Sequence, residues 1–298
     1  MDLESYNTSR ESLVPLLALN NKSNKNIIIF PTDKEAIKFS TDFSNLNKNI
    51  FHLPSWDTLS YDSFVPSFDI QGKRLEIAHL LLTNNNYNIA TSIKAISQRI
   101  YFEELEICKI ELNEEIDFDS LIENLIHLKY QRKDRVESKG SFAIRGGQLD
   151  VYPINYDLPL RVIFDGDLVN EIKTFDTISQ RSISEKKDIL IVPATELFQI
   201  KHSDILNLSS NKKKNLDDYE LFQYSQNLDL EKCLLDLSSN VALHIVDKNI
   251  VDNQLKEIID IEKDTFENLK QYFSLEIRNF KSRYKDISKF FGEYDINF

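Results

Sequence analysis

The chain has 298 residues, 41% hydrophobic and 28% charged, with Asp+Glu 48 against Lys+Arg 36 and a formal net charge of −12. That length holds two or three domains with a sizeable core, and the composition is ordinary for a soluble globular protein. The acidic balance excludes a general coat for nucleic acid, which neutralises phosphates with Lys and Arg, and leaves local basic patches and protein partners open.

No apolar run approaches the ~18 residues of a membrane-spanning helix. Met1–Glu4 lacks the charged and apolar regions that open a signal peptide. A cytoplasmic protein without a membrane segment is expected. Cys108 and Cys233 lie far apart outside any CxxC pair, which suits a reduced compartment and a structural role for both. The five histidines have no metal-ligand spacing, so no metal is expected.

Residues 1–107 have the pattern of an α/β unit. Ser9–Leu19 is a short helical pattern interrupted by Pro15, and Ile27–Phe30 is a continuous apolar run of strand length, as in a parallel strand buried on both faces. Thr32 offers an N-cap with Glu35 in the first turn, followed by Ala36, Ile37, Phe39, Phe43 and Leu46 at roughly helical spacing. Strands at Ile50–Pro54 and Asn88–Thr91 alternate with helices at Leu75–Leu82 and Ile93–Ile100. Such alternation implies right-handed crossovers in a parallel sheet.

That architecture invites a nucleotide, but the phosphate loop is missing. Neither GxxxxGK[ST] nor GxGxxG occurs, and Tyr6–Leu13, ahead of the first strand, holds no glycine and no lysine. No nucleotide cofactor and no catalytic residue are therefore expected.

Residues 108–197 change period. Phe118–Tyr130 is an amphipathic helix carrying Leu121, Leu125, Ile126 and Leu128, followed by the basic cluster Lys129–Arg135, which is read as a solvated helix end. From Gly140 the residues alternate apolar and polar in an antiparallel meander that runs to Pro193. Four of the chain's six glycines lie between Gly140 and Gly166, marking turns or positive φ. Arg145 and Arg161 sit within strand patterns there. Each is either a recognition fork on a rigid sheet or half of a cross-strand ion pair, with Asp150 or Asp167 as the partner.

Residues 198–298 are less informative: a polar linker at Asn207–Asp218, a helix at Leu228–Leu237, and a buried strand at Asn240–Val246 that could join the first sheet. Leu255–Phe280 has the pattern of a long helix or a broken pair, and Phe290–Phe298 ends without a clear cap, as in a piece of a longer chain. The Trp56–Ile70 segment carries aromatics and the acids Asp57, Asp62 and Asp69. An acid pair is conceivable there, but aromatics fixing a loop while acids cap turns is the simpler reading.

Four blocks, in order and spacing, resemble the transcription-repair coupling factor (Mfd) family over residues 27–200. They are Trp56–Leu75, Phe142–Pro153 with Leu158–Phe164, Phe175–Ser182, and Val192–Leu197. The resemblance implies the N-terminal UvrB homology module of that family. Its fold would be a helicase-like parallel-sheet α/β domain split in sequence (1–107 and 198–298) around a small α+β domain (108–197) that binds UvrA. The family's UvrA-contacting residues fall on Arg145, Arg161 and Phe164, with Asp165 standing where an adjacent aromatic is usual. Such a chain would recruit UvrA in nucleotide excision repair without catalysis of its own. RNA polymerase and DNA would be engaged only by parts of the parent translocase outside it. The alternatives are a damage-DNA binder using Lys129–Arg135, a residual nucleotide-binding domain, and a hydrolase using the Trp56–Asp69 acids.

Overall fold

The computed structural model describes residues 24–45, 49–61, 64–206, 218–225, 228, 231–273 and 280–288. The expectations for Ser9–Leu19, Tyr6–Leu13, Leu46, Asp62, most of the Asn207–Asp218 linker and Phe290–Phe298 lie outside the described residues. The chain divides into two compact units. One takes Ile77–Tyr101 together with the chain up to Val65 and from Ile200 onward; the other takes Pro66–Glu76 and Phe102–Gln199.

The first unit is built on a parallel sheet. Its strands are β1 (Lys25–Phe30), β2 (Phe51–Leu53), β3 (Tyr87–Ser92) and β12 (Ala242–Ile245), in the order β12-β1-β3-β2. All three pairings are parallel, and β12, from the far end of the chain, aligns Leu243 with Ile27. Ile27, Ile28 and Ile29 are at most 2% exposed, as an unbroken apolar run covered on both faces requires. The helix Asp33–Ser44 starts where Thr32 accepts the Glu35 amide, and the Thr32 hydroxyl donates to the Glu35 carboxylate. Ala36, Phe39 and Phe43 pack with Ile28, Phe30, Ala90 and Val246. Ile37, expected on that face, is exposed at the helix surface.

A second cluster gathers Tyr61, Ile205, Tyr224 and Phe266. Phe266 belongs to the long helix Lys248–Leu269, which begins before and ends before the expected Leu255–Phe280 and runs into a 3-10 turn at Lys270–Tyr272. Among the described residues of the helix expected at Leu228–Leu237, a 3-10 turn at Leu234–Leu237 is found. Trp56 is buried, stacked on Tyr101 at 5.8 Å with the Arg283 guanidinium 4.8 Å from its ring centre. The aromatic thus anchors its segment, while Phe64 in the same stretch is exposed.

The second unit is antiparallel. Strands β5 (Gln131–Arg132), β6 (Ser141–Arg145), β7 (Gln148–Tyr152), β8 (Leu160–Asp165), β9 (Leu168–Phe175) and β10 (Ser182–Glu185) form a six-stranded sheet in the reverse of chain order. Within the basic cluster, Gln131–Arg132 pairs in parallel with β6, so that stretch is an edge strand and not a helix end. The strand expected at the end of the meander, β11 (Asp188–Ile191), leaves it and pairs with β4 (Cys108–Glu111) as a separate ribbon. One sheet face is apolar, with Phe142, Leu149, Val151, Val162, Phe164 and Ile172 buried. Phe118, at the start of the helix Phe118–His127, meets Phe164 edge-on at 5.0 Å. Ile126 of that helix is exposed, against expectation.

The helix expected from Leu75 begins at Phe68 and crosses Gly72. Glycine is a poor helix former, yet here it is required, because a Cβ on Gly72 would lie 2.5 Å from the Ile154 carbonyl oxygen. Close approach of two backbones, invisible to periodicity, outweighs propensity. Gly72→Ala is expected to cost about 1–3 kcal/mol through overpacking, read as a lower urea midpoint; an unchanged midpoint would show that this contact yields freely.

Glu262 is buried in the long helix and accepts hydrogen bonds from the Ser60 and Ser282 hydroxyls and the Arg283 amide. Burial pushes its carboxyl above the ordinary glutamate value, although those hydrogen bonds oppose the shift. A raised folded-state value means the native state holds the proton more tightly. Its contribution to stability is complete below the unfolded glutamate pKa and is lost as pH rises through the raised folded value. Urea unfolding between about pH 4 and pH 7 is expected to show that decline in the native chain and a flatter profile in Glu262→Gln. Parallel profiles would refute it.

Candidate partner-binding face

Strand alternation sorts the second unit's sheet into two faces. Opposite the apolar face, register places Arg145, Gln148, Ile163 and Glu171 in one cross-strand row and Ala143, Asp150, Arg161 and Lys173 in the next. Tight turns hold that register. Gly146-Gly147 joins β6 to β7 with Gly146 at φ +60°, and Gly166 at φ +61° turns β8 into β9. Gly147 also has no room for a side chain: a Cβ would lie 2.8 Å from the Phe164 carbonyl oxygen.

Arg161 and Asp150 are directly opposed and paired bidentately, Nε to Oδ1 at 2.7 Å and Nη2 to Oδ2 at 2.9 Å. Their side chains are only 14% and 4% exposed. Gln148 Nε2 donates to both carboxylate oxygens at 3.0 Å. On its far side Arg161 donates from Nη1 to the Gln180 carbonyl at 3.1 Å and lies 4.5 Å from the Phe175 ring centre. The hydrogen bond to Asp150 raises the Arg161 pKa further above its ordinary value, so the guanidinium is charged at any working pH. Of the two readings open for Arg161, the cross-strand pair with Asp150 is realised.

Arg145 stands at the sheet edge, exposed, with Nη2 donating to the Asp134 carbonyl at 3.2 Å. It shares the polar face with Arg161, one row away. Phe164 does not: it is 7% exposed and points to the apolar face, while Asp165 beside it is exposed at the strand end. Sequence reasoning passed over Lys173, whose ammonium donates to Glu171 at 2.5 Å, and Gln180. Lys173 was open to detection, because alternation puts it on the Arg161 face; Gln180 was not, because it arrives from a loop.

The acids of the Trp56–Asp69 stretch form no catalytic pair among the described residues. Asp57 is exposed in the first unit, Asp62 lies outside the described residues, and Asp69 is bound by Lys139 Nζ at 2.5 Å in the second unit. Among the described residues no group of three or more His, Cys, Asp or Glu could hold a metal ion, and no helix is long and apolar enough to cross a membrane.

Comparison with known proteins decides what this sheet belongs to. Residues 108–197 match the family described as the UvrB interaction domain. This stretch is similar to the UvrB interaction domain, in a chain similar over part of its length to the transcription-repair-coupling factors. The chain is 29% identical over 174 residues to the transcription-repair-coupling factor of Escherichia coli (strain K12), covering 57% of this chain and 15% of that protein. It is 30% identical over 190 residues to that of Bacillus subtilis (strain 168), covering 61% and 16%. It is also 25% identical over 190 residues to UvrABC system protein B of Thermosipho africanus, covering 58% and 28%. The matched region thus spans about a sixth of the length of the coupling factors, and the resemblance read from the four sequence blocks is borne out. The matched stretch, residues 108–197, carries all of the polar face described above.

Asp150→Asn leaves the Arg161 fork half-satisfied in a largely desolvated place and is expected to cost about 3 kcal/mol. Urea denaturation measures it, and a loss below about 0.5 kcal/mol would mean the pair behaves as a surface salt bridge.

Proposed function

We propose that this chain is a non-catalytic recruitment module that binds UvrA in transcription-coupled nucleotide excision repair, through the polar sheet face of its UvrB interaction domain. The observation that carries the reading is the coincidence of that family match with a rigid sheet holding Arg145 and Arg161 on one face. Arg145 offers an exposed, always-charged fork to a carboxylate. Arg161 and Phe164 complete the site, Phe164 from beneath by fixing the level of the β8 strand against Phe118.

The parallel-sheet unit, interrupted in sequence by Phe102–Gln199 and closed by β12, supports a helicase-like scaffold split around the insert, with domains near 1–107, 108–197 and 198–298. A cytoplasmic setting fits this role. In a longer parent protein, ATP-driven translocation and contacts to RNA polymerase and DNA belong to other parts.

Arg145→Ala is expected to weaken UvrA binding on the order of tenfold, measured by titrating purified UvrA into the chain at constant salt. Equal affinity of the native chain and an Arg145→Ala/Arg161→Ala double variant would overturn the assignment.

A further inference from the structure

The loop between β9 and β10, Asp176–Arg181, is organised to an unusual degree for a surface connection. The Asp176 carboxylate accepts the Ser179 amide at 2.7 Å and the Ser179 hydroxyl at 2.8 Å, and those bonds hold its carboxyl below the ordinary aspartate value. The Asp176 amide donates to the Arg181 carbonyl at 3.0 Å, and the Gln180 amide returns to the Asp176 carbonyl at 2.8 Å. Two arginines tie the loop down from outside it. Arg135 Nη2 reaches the Thr177 and Ile178 carbonyls at 2.7 and 3.0 Å, and Arg161 Nη1 reaches the Gln180 carbonyl. What this frame presents is Ile178, 86% exposed, the most exposed large hydrophobic side chain among the described residues.

A large β-branched side chain held out in water by a loop with seven named hydrogen bonds gains nothing for the fold. It does suit association, since an anchor whose loop is already ordered loses little conformational entropy on binding. Its surroundings say what the socket must be. Arg181 is exposed within the loop and Arg135, with the Glu137 carboxylate 3.8 Å from its Nε, is bonded to the Ile178 carbonyl, so two guanidinium groups belong to the frame that presents the apolar tip. Apolar centre and charged rim is the anatomy of a protein interface.

We propose that Ile178 is the apolar anchor of the UvrA contact, entering an apolar socket on UvrA rimmed by carboxylates, and that Arg161 is a positioning residue that acts by fixing the loop. This rests on the UvrA-binding reading above. It also assigns Arg161 a role that its geometry permits, since its Nε and Nη2 edge is spent on Asp150 and cannot also grip a partner carboxylate.

The test is a titration of UvrA against the native chain, Ile178→Ser, Arg161→Ala and the double variant, with amide hydrogen exchange followed across 176–182. Ile178→Ser is expected to keep the native urea midpoint and bind UvrA on the order of ten- to a hundredfold more weakly. Arg161→Ala is expected to speed exchange in the loop and weaken binding, and the double variant to bind no more weakly than the weaker single one, because both act through one anchor. Native affinity in Ile178→Ser overturns the anchor while leaving UvrA recruitment standing. Fully additive losses overturn the positioning role of Arg161. A native chain that does not bind UvrA overturns both this inference and the reading beneath it.

Discussion

Arg161 and Asp150 face each other across β7 and β8 with both carboxylate oxygens occupied, and the other polar groups of that sheet face take their places around them. A pair this desolvated adds little net stability over an apolar substitute. It restricts geometry instead. Gln148 leans onto Asp150, Gln180 comes down to meet Nη1, and the Phe175 ring lies 4.5 Å from the guanidinium. A one-residue slip of β8 would send Arg161 into the apolar face and Phe164 into water. The glycine turns at Gly146-Gly147 and Gly166 resist such a slip from the strand ends, and the ion pair resists it from the middle.

Much of this architecture was legible in the residues. Ile27–Phe30 is apolar without a break because both faces are covered, and Thr32 with Glu35 marks its helix start through a capping exchange that the structure contains. The Asn240–Val246 pattern was enough to send a distant strand to the first sheet. What stayed hidden depends on contacts between segments remote in sequence. Gly72 masks the first turns of a helix because its reason for being glycine is the Ile154 backbone. Ile189 and Ile191 continue the alternation of the meander perfectly well, yet pair with β4, a choice that a period of two cannot make. Leu228–Leu237 has helical spacing, yet among its described residues the regular element is a short 3-10 turn, with Cys233 accepting at its start.

The site divides the same way. Turn glycines and embedded arginines were legible as parts of one antiparallel sheet, and Asp150 was already a candidate partner for Arg161. The grouping of Arg161 with Phe164 conflicts with strand geometry, since residues three apart on a strand point to opposite faces. That conflict could have been seen beforehand from spacing alone. The involvement of Arg135 and Gln180 could not, because both reach the face from loops whose course only the folded chain defines.

An acidic chain with arginines on one sheet face separates long-range from short-range electrostatics. Beyond a Debye length of about 8 Å at physiological salt, a partner meets the net charge of −12, which disfavours polyanions. At close range it meets Arg135, bonded to the Ile178 carbonyl, and Arg181 three residues further on. Arg145, Arg135 and Arg161 are also structural: Arg145 holds Asp134, Arg135 holds Ile178, and Arg161 holds Gln180. Removing any of them changes both the charge offered to a partner and the position of what remains. A loss of affinity on truncation therefore measures the contact and its supporting frame together, and only coupling between substitutions separates the two.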